Sequence, residues 1–177
     1  MNLKEKYQEI LPQLKKELSL SNTLAVPAIE KVVINVGIGK FRDNDMIIKE
    51  IKEHLSKITG QRPIATLARQ SIASFKIRQG MTVGYKVTLR KQKMWDFLTK
   101  FIYLALPRVR DFRGLSPDAL DEKGNFTAGI KEQIIFPELA NENIKNIFGL
   151  EICVITTAKS KKDGRRLLTL LGFPFRK

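Results

Sequence analysis

One cysteine, Cys153, occurs in a chain of 177 residues, which excludes an internal disulfide framework. With His54 as the one histidine, soft ligands are too few for a zinc site. No run approaches the length of apolar residues that crosses a bilayer, and the N-terminal MNLKEKYQEIL lacks the apolar core of a signal peptide. A soluble chain is expected, in the cytosol or an equivalent organelle matrix, with no membrane partner. The most informative absence is local. From His54 to Trp95 there is no Asp or Glu, yet nine cations stand there: Lys57, Arg62, Arg69, Lys76, Arg78, Lys86, Arg90, Lys91 and Lys93. A surface so dense in one sign repels itself unless something anionic lies on it.

What is present is ordinary for a globular chain, with 43% apolar and 28% charged residues. Length fits one domain over 1–177, with an excursion at 69–80. The net charge of +14 and a pI near 10 point to nucleic acid first and an anionic membrane surface second. Charge is uneven. Residues 1–53 carry nine bases and eight acids, 118–153 carry seven acids and three bases, and 159–177 carry seven bases against Asp163.

Periodicity predicts the elements. Leu3, Tyr7, Ile10 or Leu11, Leu14 and Leu18 mark an amphipathic helix with Asn2 as N-cap and a kink or break at Pro12. Glu30–Ile38 alternates strictly, with Val32, Ile34, Val36 and Ile38 on one face and Lys31, Val33, Asn35 and Gly37 on the other. Asp43 or Asn44 caps a second helix with the stripe Ile47, Ile48, Ile51, Leu55 and Ile58, stopped at Gly60. Strands at Pro63–Ala68 and Val83–Arg90 bracket a basic tip with Ser71, Ile72, Ser74, Phe75 and Gly80, giving a long hairpin. In the second of these, Val83, Tyr85, Val87 and Leu89 oppose Gly84, Lys86, Thr88 and Arg90. A helix follows at Gln92–Ala105, closed by Pro107, and then an irregular stretch at Arg108–Asn125. Short strands are expected at Phe126–Ile130 and Gln133–Phe136, a helical turn at Asn141–Ile147, a strand at Glu151–Thr157 and a last helix at Lys161–Leu171. This order implies an α+β fold in two layers, a mainly antiparallel sheet with helices on one face and a protruding basic β-hairpin loop. The uncovered face would hold Asn35, Gly37, Lys86, Thr88 and Arg90, a polar platform suited to RNA.

Motifs for other chemistry fail on spacing. Gly37-Ile-Gly39-Lys40 is not a phosphate loop, since Phe41 stands where Ser or Thr is needed, and Arg42 takes the third glycine position of a dinucleotide fingerprint. Glycines at a strand end that let a partner's backbone approach are the better reading. Asp118, Asp121 and Glu122 form a poor calcium loop and a good solvated turn. His54 has no sequence-adjacent catalytic partner and reads as a surface or boundary residue, and Cys153 as packed and inert. No catalytic residue, metal ligand or cofactor site is predicted. The cations, interleaved with Ser71, Ser74, Phe75, Tyr85 and Thr88, suit phosphates, 2′-hydroxyls and stacked bases. The C-terminal AKSKKDGRR (Ala158–Arg166) is a second, weaker candidate for anion contact, with a plain solvated helix as its competitor.

Six separated blocks then carry a resemblance: ARQSIASFKIRQG (Ala68–Gly80), GYKVTLRKQKMWDFL (Gly84–Leu98), PRVRDFRGLS (Pro107–Ser116), KEQIIFPEL (Lys131–Leu139), TTAKS (Thr156–Ser160) and GFPFRK (Gly172–Lys177). With VVINVGIGK and GQRP they resemble the universal large-subunit ribosomal protein L-five family in its bacterial form. Residues 40–55 and 118–147 match only in pattern. The resemblance implies a ribosomal protein that binds 5S rRNA in the central protuberance through Asn35, Gly37, Gln61, Arg62, Thr88 and Arg90. It implies contact with P-site tRNA through Arg69, Ser71, Phe75, Lys76 and Arg78. It also implies neighbouring large-subunit rRNA and proteins, a monomer within the ribosome, and a bridge to a small-subunit head protein, assigned to Arg108–Asn125. Two other classes compete. An RNA-modifying or RNA-processing enzyme would need a base, a metal cluster or a cofactor loop. A peripheral membrane protein would carry its cations along one helix opposite a bulky apolar face.

Overall fold

The strictest alternation in the chain becomes the centre of the molecule. The computed structural model describes residues 2–176 apart from 43, 141 and 143. Strand β1 (Ile29–Gly37) buries Val32, Ile34 and Val36 and leaves Lys31, Val33 and Asn35 half-exposed on the other side. It pairs antiparallel with β3 (Thr82–Leu89) on one flank and β5 (Leu150–Thr156) on the other. Strands β2 (Ile64–Leu67) and β4 (Phe126–Ile130) form the edges, so the sheet runs β2-β3-β1-β5-β4 with every pairing antiparallel.

Among the described residues, four α-helices cover the apolar face: α1 (Leu3–Glu17), α2 (Asp45–Thr59), α3 (Lys91–Lys100) and α4 (Lys161–Leu171). Their stripes meet the strands in one core, where Leu14, Ile51, Leu55, Leu98, Leu167 and Leu168 join Val32, Ile34, Val87 and Ile152. Side-chain caps set the helix starts by satisfying orphan amides. The Asn2 carboxamide accepts from the Lys4 amide at 3.1 Å, Asn44 from Met46 at 3.1 Å, and the Ser160 hydroxyl from Asp163 at 3.2 Å. Asp43, the alternative cap, lies outside the described residues. The α+β, two-layer expectation holds.

Several local expectations do not. Of the kink or break expected at Pro12, the break does not occur: α1 is continuous from Leu3 to Glu17, because packing of Leu3 and Leu14 outweighs one missing amide donor. The third helix does not close before Pro107. After α3 it widens into a π-helical turn, Phe101–Ala105, and tightens into a 3-10 turn, Leu106–Arg108. Pro107 stands in the first turn of that last piece, where an amide donor is not required.

Gln133–Phe136 is not a strand but a 3-10 turn, Gln133–Ile135. Gln133 is fully buried, and its own side chain replaces a ladder: Oε1 accepts from the Phe148 amide at 2.8 Å and Nε2 donates to the Asn146 carbonyl at 2.7 Å. The helical turn expected at Asn141–Ile147 forms earlier, at Pro137–Leu139. Residues 144–147 are irregular, while Asn141 and Asn143 lie outside the described residues. His54 is buried rather than at the surface, stacked on Phe148 with ring centroids 6.0 Å apart. It belongs to the Ile51, Leu55, Ile58 stripe at helical spacing.

The irregular stretch after α3 is held from far away. The Leu115 amide donates to the Pro174 carbonyl at 2.7 Å and the Arg176 amide donates back to Leu115 at 2.8 Å. Phe173 and Phe175 then close edge-on over Phe126, each with its ring centroid 5.7 Å away.

Candidate nucleic-acid interface

Strand register turns the uncovered sheet face into rows. Ile64, Lys86, Asn35, Glu151 and Gly129 form one row; Thr88, Val33, Cys153 and Thr127 form the next. Thr66, Gly84 and Gly37 form a third. Gly84 keeps that row flat: a Cβ there would lie 2.6 Å from the Val36 carbonyl oxygen. Asn35, Gly37 and Thr88 thus share the open face. Arg90 follows β3 on the same alternation and is exposed.

Gln61 and Arg62 enter from the end of α2. The Gln61 amide donates to the Thr59 hydroxyl at 3.3 Å, and its side-chain Nε2 donates to the Thr88 carbonyl at 3.3 Å. That tether extends the sheet beyond β2 and leaves the Gln61 carboxamide oxygen without a protein donor among the described residues. Arg62 is exposed beside it.

Not all nine cations of the acid-free stretch face outward unpaired. Lys57 pairs with Glu142 at 2.6 Å, and Lys93 donates to the Gly60 carbonyl at 2.8 Å, capping α2. Arg62, Arg69, Lys76, Arg78, Lys86, Arg90 and Lys91 form no ion pair among the described residues. The Lys57 contact holds the Glu142 carboxyl below its usual range.

The connection between β2 and β3 is ordered by nested bonds. Ala68 and Met81 pair at its base, with the Ala68 amide donating at 2.8 Å, and Ile72 and Ile77 exchange amide bonds at 2.8 and 3.1 Å. A 3-10 turn, Ala73–Phe75, closes the tip, and Lys76 follows in left-handed backbone at φ 51°. The Ser71 hydroxyl accepts from the Gln79 amide at 2.9 Å. Arg69, Ser71, Phe75, Lys76 and Arg78 are all exposed, Phe75 at 66%. Self-repulsion alone would leave such a tip loose. Arg42, just after β1, opposes it: its Nη1 donates to the carbonyls of Phe75 at 2.8 Å and Lys76 at 3.0 Å.

The two predicted residue sets therefore occupy two surfaces, a sheet face and a hairpin tip. Three residues of the face were missed. Thr127, Glu151 and Cys153 follow from the alternation of β4 and β5, a signal that was legible. Cys153 is not sealed in the core. It is half-exposed on the open face, accepts from the Thr127 hydroxyl at 3.6 Å, and burial pushes its thiol up, so it stays protonated and unreactive. Arg42 had no local signal at all. Asp121 serves its own turn, with Asn125 donating to its two oxygens at 2.7 and 2.8 Å.

Comparison with known proteins bears on the whole chain. Residues 22–78 match the family described as Ribosomal protein L5, and residues 82–175 match the description of that ribosomal family's C-terminus. The large ribosomal subunit protein uL5 of Desulfatibacillum aliphaticivorans is 49% identical over 173 residues, covering 98% of this chain and 97% of that one. Its counterpart in Desulfotalea psychrophila is 50% identical over 176 residues, covering 99% and 98%. That of Rubrobacter xylanophilus is 48% identical over 175 residues, covering 98% and 97%.

Proposed function

Because the chain belongs to the ribosomal protein L5 family of the large ribosomal subunit, we propose that its open sheet face holds 5S rRNA and its hairpin tip meets P-site tRNA. As a member of that family it is a structural constituent of the large subunit and not an enzyme. It resides in the ribosome, which is cytoplasmic in bacteria, the source of the relatives named above. The organellar alternative gains no support from them.

One observation carries the 5S rRNA assignment: a polar sheet face that no helix covers among the described residues, with Asn35, Lys86 and Thr88 in adjacent rows and glycines beside them. Such a face admits a backbone closely and offers donors and acceptors to ribose and base edges. Asn35, Gly37, Gln61, Arg62, Thr88 and Arg90 are the contact residues. At the tip, Arg69, Lys76 and Arg78 take phosphates, and the exposed Phe75 ring packs on a ribose or base. The whole chain serves as a single RNA-binding domain, one copy per ribosome, with 69–80 reaching away from the sheet. Arg108–Asn125 contacts the small-subunit head protein. In support, Arg108, Arg110 and Asp111 are exposed and line a groove of about 580 Å³ with Lys131 and Ile134.

The test is binding to purified 5S rRNA, tRNA and random-sequence RNA over a salt series. About six neutralised phosphates would cost on the order of a thousandfold in affinity between 50 and 200 mM salt. Equal affinity for all three RNAs near physiological salt would exclude a 5S-specific face. Asn35→Ala with Thr88→Ala should weaken 5S rRNA binding. Lys76→Ala with Arg78→Ala should spare it and disturb tRNA contact on the ribosome. Interchanged phenotypes would refute the division into two surfaces.

A further inference from the structure

The open sheet face is not uniformly basic. Its β3 side carries Lys86 and, just past the strand, Arg90, whereas its β5 and β4 side carries Thr127, Gly129, Cys153 and the carboxylate of Glu151. Glu151 lies opposite Asn35 on one flank and opposite Gly129 on the other. It is exposed and forms no ion pair or side-chain hydrogen bond among the described residues. Lys86 stands two strands away, about 10 Å, so the two charges flank Asn35 without meeting. Around the carboxylate the surface is low. A Cβ built on Gly129, beside it, or on Gly37, diagonal to it, would meet nothing within 4 Å among the described residues.

An unpaired carboxylate is out of place on a surface that receives RNA. It repels phosphate, and covering it without a donor is costly. Its oxygens only accept hydrogen bonds, as do those of phosphate, so in RNA only base N–H groups and 2′-hydroxyls can satisfy it. A hydroxyl supplies one hydrogen for two oxygens. Of the four bases, guanine alone sets two neighbouring donors, N1–H and the N2 amine, on its Watson–Crick edge, at a spacing that suits both oxygens of a carboxylate. That edge is free only where the guanine is unpaired, which is the state in which proteins read RNA sequence.

We infer that Glu151 is a specificity-determining residue of the RNA face, whose carboxylate accepts paired hydrogen bonds from the Watson–Crick edge of an unpaired guanine lying over β1 and β5. The row then reads in order across the sheet. Lys86 takes phosphate, Asn35 in the middle offers both a donor and acceptors, and Glu151 takes the base edge. Gly129 leaves room for a flat ring to come down beside the carboxylate. The same charge turns phosphate away from β5, which fixes the side of the face on which the RNA backbone runs. The occupant is RNA rather than a cationic protein segment, because Glu151 continues the row of Lys86 and Asn35, and a cation seated on it would be drawn toward Lys86. The inference rests on the reading that this face holds 5S rRNA, and adds to it a residue that selects a base.

Full-length wild type and Glu151→Gln, which keeps the size of the side chain and removes its charge, are compared on purified 5S rRNA and on random-sequence RNA. Charge alone predicts that the variant binds both RNAs more tightly. A guanine contact predicts the opposite sign on one of them: about tenfold weaker binding to 5S rRNA, in the range of a good bidentate base contact, with no loss on random RNA. Kethoxal, which attacks N1 and N2 of unpaired guanine, then reads the contact directly at saturating protein. Wild type should shield a guanine that the variant leaves reactive. Selective 5S rRNA binding by wild type, with the same kethoxal pattern for both proteins, would overturn the guanine contact and leave the sheet reading standing. So would unchanged 5S rRNA affinity with weaker retention of the variant on large subunits, which would assign Glu151 to a protein cation. Should wild type bind 5S rRNA no better than random RNA, the sheet reading would fall and this inference with it.

Discussion

Gly124 and Gly164 touch backbone to backbone: a methyl group built on Gly164 would stand 2.4 Å from the Gly124 carbonyl oxygen and 2.5 Å from its Cα. The contact seats the start of α4 on the turn before β4, where the Thr156 hydroxyl also donates to the Gly124 carbonyl at 3.0 Å. It thereby ties the two strands of the sheet's far edge to the C-terminal helix.

Gly164→Ala is therefore expected to destabilise the protein by about 2–3 kcal/mol, the cost of overpacking against backbone that cannot turn aside. Helix propensity alone predicts the reverse sign, a gain of about 1 kcal/mol. Urea unfolding of the two proteins decides between them, and a stabilised variant would show that α4 seats differently.

Pro12→Ala should act in the opposite direction. Pro12 is exposed within α1, so its ring contributes little packing, while its missing amide leaves the Gln8 carbonyl without its helical donor. Restoring that donor should stabilise the chain by about 2 kcal/mol, less than the ~3 kcal/mol of a fully regular helix interior. A lower melting temperature for the variant would mean that the helix depends on the proline.

Arg42 bonds the carbonyls of Phe75 and Lys76, which makes it the clamp of the hairpin tip. Arg42→Ala should speed amide exchange at Lys76 and Ile77 about five- to tenfold, as expected for losing about 1–1.5 kcal/mol of local hydrogen bonding. Global stability should change little, since tip and clamp are both on the surface. Unaltered exchange at Lys76 and Ile77 would remove Arg42 from that role.

Glu17 supplies a pH test. Its bonds from the Arg166 side chain, helped by Gln13, hold its carboxyl at about 2 against an ordinary value of 4.5. A carboxyl depressed in the folded state stabilises above its unfolded pKa and loses that contribution as pH falls through its folded one. Wild type and Glu17→Gln should thus differ in Tm above about pH 4.5 and converge toward pH 2. The pair is exposed, so the difference should also shrink in high salt. A difference that persists at pH 2 would show that Glu17 acts through packing.

Much of the fold was legible because its signals are local. Alternation in VVINV, the stripe from Ile47 to Ile58 and the Ser160 cap before Lys161 each depend on residues within a turn or two of one another. Strand faces also follow from alternation, which puts Asn35, Gly37 and Thr88 on the polar sides of their strands. The failures share the opposite property. Gln133 avoids a strand because Phe148 and Asn146 satisfy it, and Leu115 is held by the C-terminal tail. His54 is buried against a ring 94 positions later in the chain.

By itself the sequence determined that this protein meets a polyanion, that its layers are helices on an antiparallel sheet, and that one sheet face is polar. Charge, period and resemblance are properties of neighbours along the chain. Only the tertiary structure decided which cations stay unpaired, since Lys57 and Lys93 commit theirs to Glu142 and Gly60 while Lys86 and Arg90 do not. It also brought Arg42 to the hairpin tip and the end of α1 to α4. The reason is physical: pairing energies fall off over a few ångströms, and only folding brings residues distant in sequence within that range.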